Sequence, residues 1–152
     1  MASVSFRSPI GPISVHAKDN HIAVVGWRNV DNPEPTPLLR DAVSQLKAFF
    51  AGDLTEFDLP LSPEGTDFQK RVWETMYTIP YGKTWSYGEL ASRVGTAARA
   101  VGGACGTNPI PIIIPCHRVL AANGRSGGYS GRGGLKTKTA LLDIENCKAR
   151  LL

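Results

Sequence analysis

The spacing of hydrophobic and polar positions changes character along the chain. Through "VSFRSPIGPISVHAKDNHIAVVGWRN" the apolar residues fall in short β-prone runs broken at Pro-Ile-Gly-Pro and Lys-Asp-Asn, which predicts a meander of two or three strands. From Thr36 the spacing becomes helical, with Leu39, Val43, Leu46 and Phe50 on one face of "TPLLRDAVSQLKAFFAG". Thr36 is placed to cap that helix, Pro37 suits its first position and Gly52 its end. "EFDLPLSPEG" follows neither pattern and predicts an extended segment running into a Pro/Gly linker. The chain is therefore expected to divide into domains at 1–61 and 66–152, with residues 62–65 between them.

The second half opens with a capping box, Thr66 with Gln69, ahead of a stripe formed by Phe68, Val72, Trp73 and Met76. Pro80 stops this helix and "YGKTW" turns the chain. A second capping box, Ser86 with Glu89, starts the short helix "YGELASRV", which Gly95 ends, and a third helix follows in "AARAVGGACG". Two short helices joined by a tight glycine turn fit either a generic helical hairpin or a helix-turn-helix. The third helix is nearly all Ala, Gly, Val and Cys, so its outer face has little bulk, and Gly102-Gly103 costs about 1–2 kcal/mol of helix stability. Arg99 lies in its first turn, where the helix dipole disfavours a cation. A phosphate or base stack outside the protein accounts for that arginine better than helix stability does.

Charge sharpens this picture. Residues 1–65 carry 5 Lys and Arg against 8 Asp and Glu, a net −3, whereas residues 66–152 carry 12 against 5, a net +7. A basic half that also holds the helix pair suits a polyanionic partner. The longest apolar run, "IPIIIPC", is seven residues with two prolines and far too short to span a bilayer. "MASVSFRSPIG" lacks a basic stretch followed by an apolar one, so no secretory signal and a cytoplasmic location are expected. Three cysteines without a CxxC pair argue for reduced thiols rather than a disulfide framework.

One of those thiols sits in "IPCHRV", directly before a histidine. The segment "TNPIPIIIPCHRVLAANG" is β-branched and broken by prolines, which predicts an extended run through the core ending at an Asn-Gly turn. Neighbouring side chains on an extended backbone point apart, so a water is the expected link between the Cys116 thiol and the His117 ring. A base oriented by a third group converts a thiol into a reactive thiolate. The last helix, "LKTKTALLDIENCKARL", puts Glu145 on the face of Leu141 and Leu142, with Asp143 and Lys148 on the other side. Glu145 is then either the third member of a Cys116–His117–Glu145 relay or a residue at the rim of the core. Cys105, Cys116, His117 and Cys147, at spacings of 11, 1 and 30, match no compact zinc pattern. His16 and His21 flank a polar turn and are expected at the surface.

Taken together, "TDFQKRVWETMYTIPYGKTWSYGELA", "AARAVGGACGTNP" and "NPIPIIIPCHRV" resemble the O6-alkylguanine-DNA alkyltransferases over essentially all of residues 66–147. "SPIGPI" and the helix before "FFAGDLTEFDLPL" extend the likeness more weakly into the first half. The resemblance implies an α/β fold: an N-terminal RNase-H-like sheet with a helix, then a mainly helical C-terminal domain holding a helix-turn-helix and the active-site segment. It also implies DNA repair by irreversible, single-turnover transfer of the alkyl group of O6-alkylguanine, and less efficiently O4-alkylthymine, from double-stranded DNA to Cys116. No metal, cofactor or membrane is implied, and a monomer is expected. By the same resemblance His117 is the base, Glu145 orients it, and a water relays the proton. Asn108 ties the helix-turn-helix to the active-site strand. Tyr129 and Ser130 meet N3 and O6 of the flipped guanine, Pro111 belongs to its pocket, and the carbonyls of Cys116 and Val119 accept its exocyclic amine. Arg99 fills the hole left in the duplex, Tyr87 presses on the 3′ phosphate, and Ala98, Gly102 and Arg118 join them in contacting the minor groove and backbone.

Two departures from the family stand out. The turn in "VGTAARA" is shorter than in some relatives, and "SGRGGLKTK" is longer, adding Arg132, Lys136 and Lys138 near the site as candidate phosphate contacts. Rival readings each leave residues idle. A non-catalytic helix-turn-helix protein has no use for the Cys-His-Glu set or "GGYSG", and a thiol hydrolase has none for the basic half or the small-faced helix.

Overall fold

The computed structural model describes residues 1–121 and 134–150, with side chains to residue 146. The chain forms two compact units, Met1–Glu64 and Gly65–Leu152.

The first unit is built on an antiparallel meander: β1 (Ala2–Ser8), β2 (Gly11–Lys18) and β3 (His21–Gly26), in that spatial order. Asp19 and Asn20, both at positive φ, make the two-residue turn between β2 and β3, the conformation short polar side chains tolerate best. Residues 60–62 extend the sheet beyond β3, with the Ile22 amide donating to the Pro60 carbonyl and the Ser62 amide to that of Ile22. Helix α1 (Pro37–Phe50) packs on β1 and β2, its Thr36 side chain accepting from the Leu39 amide as the sequence predicts. Its buried face is Leu39, Ala42, Leu46 and Phe49, displaced from the expected one, because Val43 and Phe50 are only half-buried. His16 also departs from expectation. It lies on the central strand and is buried, its ring bonded to the hydroxyls of Ser3 and Ser14 at 2.7 and 3.0 Å. Those two hydroxyls supply the partners a buried imidazole needs.

In the second unit both capping boxes form. They start α2 (Asp67–Tyr77) and α3 (Tyr87–Val94), each cap contributing about 1 kcal/mol. Gly95, at φ 88°, closes α3 in the left-handed conformation that glycine enters without strain, and α4 (Ala98–Gly106) begins three residues later. The three helices pack on one another around Val72, Trp73, Met76, Leu90 and Val101. Trp73 is fixed by its indole N–H on the Ala104 carbonyl at 2.8 Å, which ties α2 to α4. Two short strands, β4 (Trp85–Ser86) and β5 (Val119–Leu120), pair in parallel, and α5 (Leu135–Arg150) completes the unit. No helix among the described residues is long and apolar enough to cross a membrane.

The segment expected to run extended through the core does lie in the core, with Ile110, Ile112, Ile113 and Ile114 all buried. It is coiled rather than extended. The Ile114 amide closes back on the Ile110 carbonyl at 2.9 Å, Ile112 takes φ 75°, and Cys116–Arg118 form a single 3₁₀ turn. Pro109, Pro111 and Pro115 remove the amides a strand would need for pairing, and local turns satisfy the rest.

Candidate active site

Cys116, His117 and Arg118 occupy that 3₁₀ turn, between the coiled isoleucine segment and β5. Asn108, just beyond the end of α4, clamps the approach to it. Its Nδ2 donates to the Ile114 carbonyl at 2.9 Å and its Oδ1 accepts the Ile110 amide at 3.0 Å. Downstream, β5 pairs with β4, whose Ser86 caps α3. The turn is thus joined at both ends to the helix pair, through Asn108 to α4 and through β4 to α3.

Inside the turn the side chains converge on Glu145 of α5. His117, fully buried, bonds through Nε2 to Glu145 Oε2 at 2.5 Å. Arg118 Nε donates to both carboxylate oxygens at 2.9 and 3.1 Å, and the Gly82 amide donates to Oε1 at 3.0 Å. A carboxylate only accepts, so the bonded Nε2 carries the proton and the lone pair of neutral His117 lies on Nδ1. Burial holds His117 below the ordinary histidine value despite the carboxylate beside it. Burial would raise Glu145, yet its hydrogen bonds with His117 and Arg118 and the positive charge of Arg118 hold it below the ordinary carboxylate value. The resting cluster is a carboxylate, a guanidinium and a neutral imidazole.

Cys116 is 6% exposed, and burial pushes its thiol up, opposed by the Asn108 side chain and the positive charge of Lys138. The resting sulfur is therefore protonated and needs a base before it can attack. Cys105 packs inward from α4, its Sγ 3.4 Å from Met76 Sδ, and burial pushes it up to about 12. That thiol is inert core.

Two basic residues expected to touch DNA lie inside instead. Arg118 is 6% exposed, with Nη1 on the Ile79 carbonyl at 2.7 Å, because it completes the buried cluster around Glu145. Lys138 is fully buried, its Nζ donating to the Val119 carbonyl at 2.7 Å. It lies seven residues before Glu145 on the stripe that includes Leu141, a helical spacing that could have revealed it. That carbonyl keeps one lone pair for a further donor. Pro111 and Val119 are buried beside the turn, Tyr87 is half-buried at the start of α3, and Lys136 is exposed. Tyr129, Ser130, Arg132, the Asn-Gly turn and the side chains of Cys147 and Lys148 lie outside the described residues. Among the described residues no group of three His, Cys, Asp or Glu could hold a metal.

The helix pair presents a second surface. Ala98, Arg99 and Ala100 are exposed on the first turn of α4, which has no side-chain cap and no acidic residue. A Cβ built on Gly102 or Gly103 meets nothing within 4 Å, so the fold itself does not require glycine at either position. Arg93 stacks on the Trp85 ring at 4.1 Å, an attraction of about 0.5–1 kcal/mol at an exposed site.

The buried imidazole makes stability depend on pH. Folded His117 titrates below its ordinary 6.5, so the unfolded chain takes up a proton first as pH falls. Stability should therefore drop below pH 6.5 with a slope approaching about 1.4 kcal/mol per pH unit, and Glu145 adds a further loss below about 4.5. Urea unfolding from pH 7.5 to 5 measures this, and His117→Gln should flatten the slope to the share left by His16.

A buried His117–Glu145–Arg118 cluster in the turn that carries a buried thiol, tied to two short helices packed on each other across a glycine turn, defines a protein of thiol chemistry joined to a helix pair. Comparison with known proteins identifies the family. Residues 67–147 match the model for the 6-O-methylguanine DNA methyltransferase DNA-binding domain, and residues 3–63 that for its ribonuclease-like domain. The methylated-DNA–protein-cysteine methyltransferase of Mycobacterium tuberculosis H37Rv is 47% identical, covering 93% of this chain and 90% of its own. That of Methanosarcina acetivorans is 46% identical over 92% and 95%. The crystal structure of Mycobacterium tuberculosis OGT in complex with DNA superimposes with a TM-score of 0.89 at 46% identity, covering 97% of this chain and 94% of that one. This chain belongs to the O6-methylguanine DNA methyltransferase family.

Proposed function

We propose that this protein repairs double-stranded DNA by moving the alkyl group of O6-alkylguanine onto Cys116, once per molecule. The observation that carries the reading is the His117–Glu145 pair one residue from a buried, protonated thiol. It supplies the base that such a thiol needs, and family membership supplies the reaction. The target carbon is out of reach inside a stacked duplex, so the nucleotide flips out, at a cost of a few kcal/mol that is smallest for a weakly paired base. Arg99 and the small-residue face of α4, with Ala98 and Gly102, engage the minor groove, and Tyr87 bears on the phosphate beside the target.

The thiol proton passes through a water to His117 Nδ1, and the thiolate attacks the alkyl carbon as the carbon–O6 bond breaks. The bonding pair leaves on guanine, which Tyr129 protonates at N3 and Ser130 steadies at O6. A carbon–sulfur thioether remains. An unactivated thioether carbon has no leaving group that water can displace, so the protein works stoichiometrically, and it acts as a monomer. O4-alkylthymine presents the same alkyl ether and is the slower substrate.

Intact mass after incubation with excess O6-methylguanine duplex tests this. One step of ~14 Da, methyl replacing hydrogen, is expected, with one equivalent of guanine restored per protein. Restored guanine in excess of protein would sink the single-use mechanism, and tight lesion binding without a mass change would favour a non-catalytic lesion-binding protein.

A further inference from the structure

Arg118 stands in the signature turn yet faces inward. Its guanidinium bonds both oxygens of Glu145 through Nε and the Ile79 carbonyl through Nη1, with its central carbon 5.6 Å from the Tyr81 ring centre. Glu145 thus serves two possible cations, Arg118 and His117, in a site where all three side chains are buried. The difference between them is chemical: guanidinium is charged at every accessible pH, whereas imidazole can be either.

Were His117 the sole side chain on that carboxylate, a buried ion pair would favour the imidazolium. An imidazolium has no lone pair and cannot take a proton from a thiol. With Arg118 already balancing Glu145, a protonated His117 would leave the cluster with an uncompensated positive charge, which burial penalises. Among the described residues, the other groups around the cluster act in the same direction or are neutral. Lys138 of α5 adds a second buried cation, Cys116 is a neutral thiol, and the Ile79–Gly82 segment supplies main-chain groups and the Tyr81 ring.

We infer that Arg118 is a positioning residue that keeps His117 neutral, and so able to accept the Cys116 proton, by balancing the charge of Glu145. The inference rests on the alkyl-transfer reading. It also accounts for release of the proton. Cys116 is by then a thioether and cannot take it back, so an imidazolium formed beside Arg118 and Lys138 gives it up to water, from which the Tyr129 phenol regains the one it lost to guanine. Arginine in this turn therefore acts on proton transfer without touching DNA.

The test is ¹⁵N-histidine NMR of His117 across pH 5–9 in wild type, Arg118→Met and Arg118→Met/Glu145→Gln, alongside single-turnover methyl transfer at each pH. Wild type should show the neutral Nε2–H tautomer at pH 7. Arg118→Met should raise the His117 midpoint by one unit or more and slow transfer at pH 7 about tenfold or more, with recovery toward pH 9. The double variant should return His117 to the neutral form. An unchanged midpoint in Arg118→Met, even with slower transfer, would reduce Arg118 to a structural strut and overturn the inference. If that variant does not fold, the wild-type spectrum decides: an imidazolium at pH 7 overturns the inference, and a neutral ring persisting below pH 6.5 supports it. A protein with these histidine states that moves no methyl group would overturn the alkyl-transfer reading while leaving the charge assignment standing.

Discussion

Cys116→Ser should take up no methyl group from an O6-methylguanine duplex, a loss of at least about 10³-fold, while still binding that duplex within about twofold of wild type. The Cys116 site already disfavours an anion, since burial pushes even a thiol above its ordinary value. A hydroxyl begins several units higher, beyond what a neutral imidazole can deprotonate usefully. The substitution leaves the turn intact, because the turn is held by other groups. The residue 116 amide donates to the Ile114 carbonyl at 2.8 Å, and Asn108 grips that same carbonyl at 2.9 Å. Intact mass measures transfer, and fluorescence anisotropy on labelled duplex measures binding. A methyl group found on Cys105 in the variant would move the chemistry to the wrong thiol, contrary to its burial and its place against Met76.

Glu145→Ala should be the most damaging single change to stability, costing about 3–5 kcal/mol in chemical denaturation. It strands the Arg118 guanidinium in the interior, deprives the Gly82 amide of its acceptor and leaves His117 without an anchor. Glu145→Gln should cost less, about 1–3 kcal/mol, because an amide oxygen can still accept one of those donors while its NH₂ confronts another. Transfer should fall by about 10²–10⁴ in the glutamine variant, since a histidine without the carboxylate loses its fixed tautomer. A loss below about 1 kcal/mol for Glu145→Ala would mean that water, not protein, surrounds the cluster.

Much of this chain was legible in its residues because the signals were local. Thr66 with Gln69 and Ser86 with Glu89 satisfy amides three positions away, so both capping boxes could be recognised before any tertiary contact was known. Gly95 needed only its own backbone conformation, and the β2–β3 turn needed only two short polar residues. The motif "IPCHRV" marked the chemistry through its resemblance to a family, and the same resemblance gave Glu145 the role that its position on a helix face had left open. Local signals failed where several partners compete. The isoleucine segment has strand composition, yet three prolines deny it the amides of a strand, and it coils. The α1 stripe of Leu39, Val43, Leu46 and Phe50 satisfied helical spacing, but contact with the sheet selected Ala42 and Phe49 instead of Val43 and Phe50.

By itself, then, the sequence determined the first sheet, the order of the helices, most of the helix caps and the family, because each depends on neighbours a few residues apart or on a motif held whole. The fate of the charges belonged to the tertiary structure alone. Arg118 and Lys138 were expected on a basic surface facing DNA, and both are buried. Arg118 meets a carboxylate 27 residues along the chain and a carbonyl 39 residues back, and Lys138 meets a carbonyl 19 residues back. A cation can be buried only where such partners converge. Helical spacing could place Lys138 on the inward face of α5, but no period or spacing in the chain records the carbonyls and the carboxylate that meet these two cations.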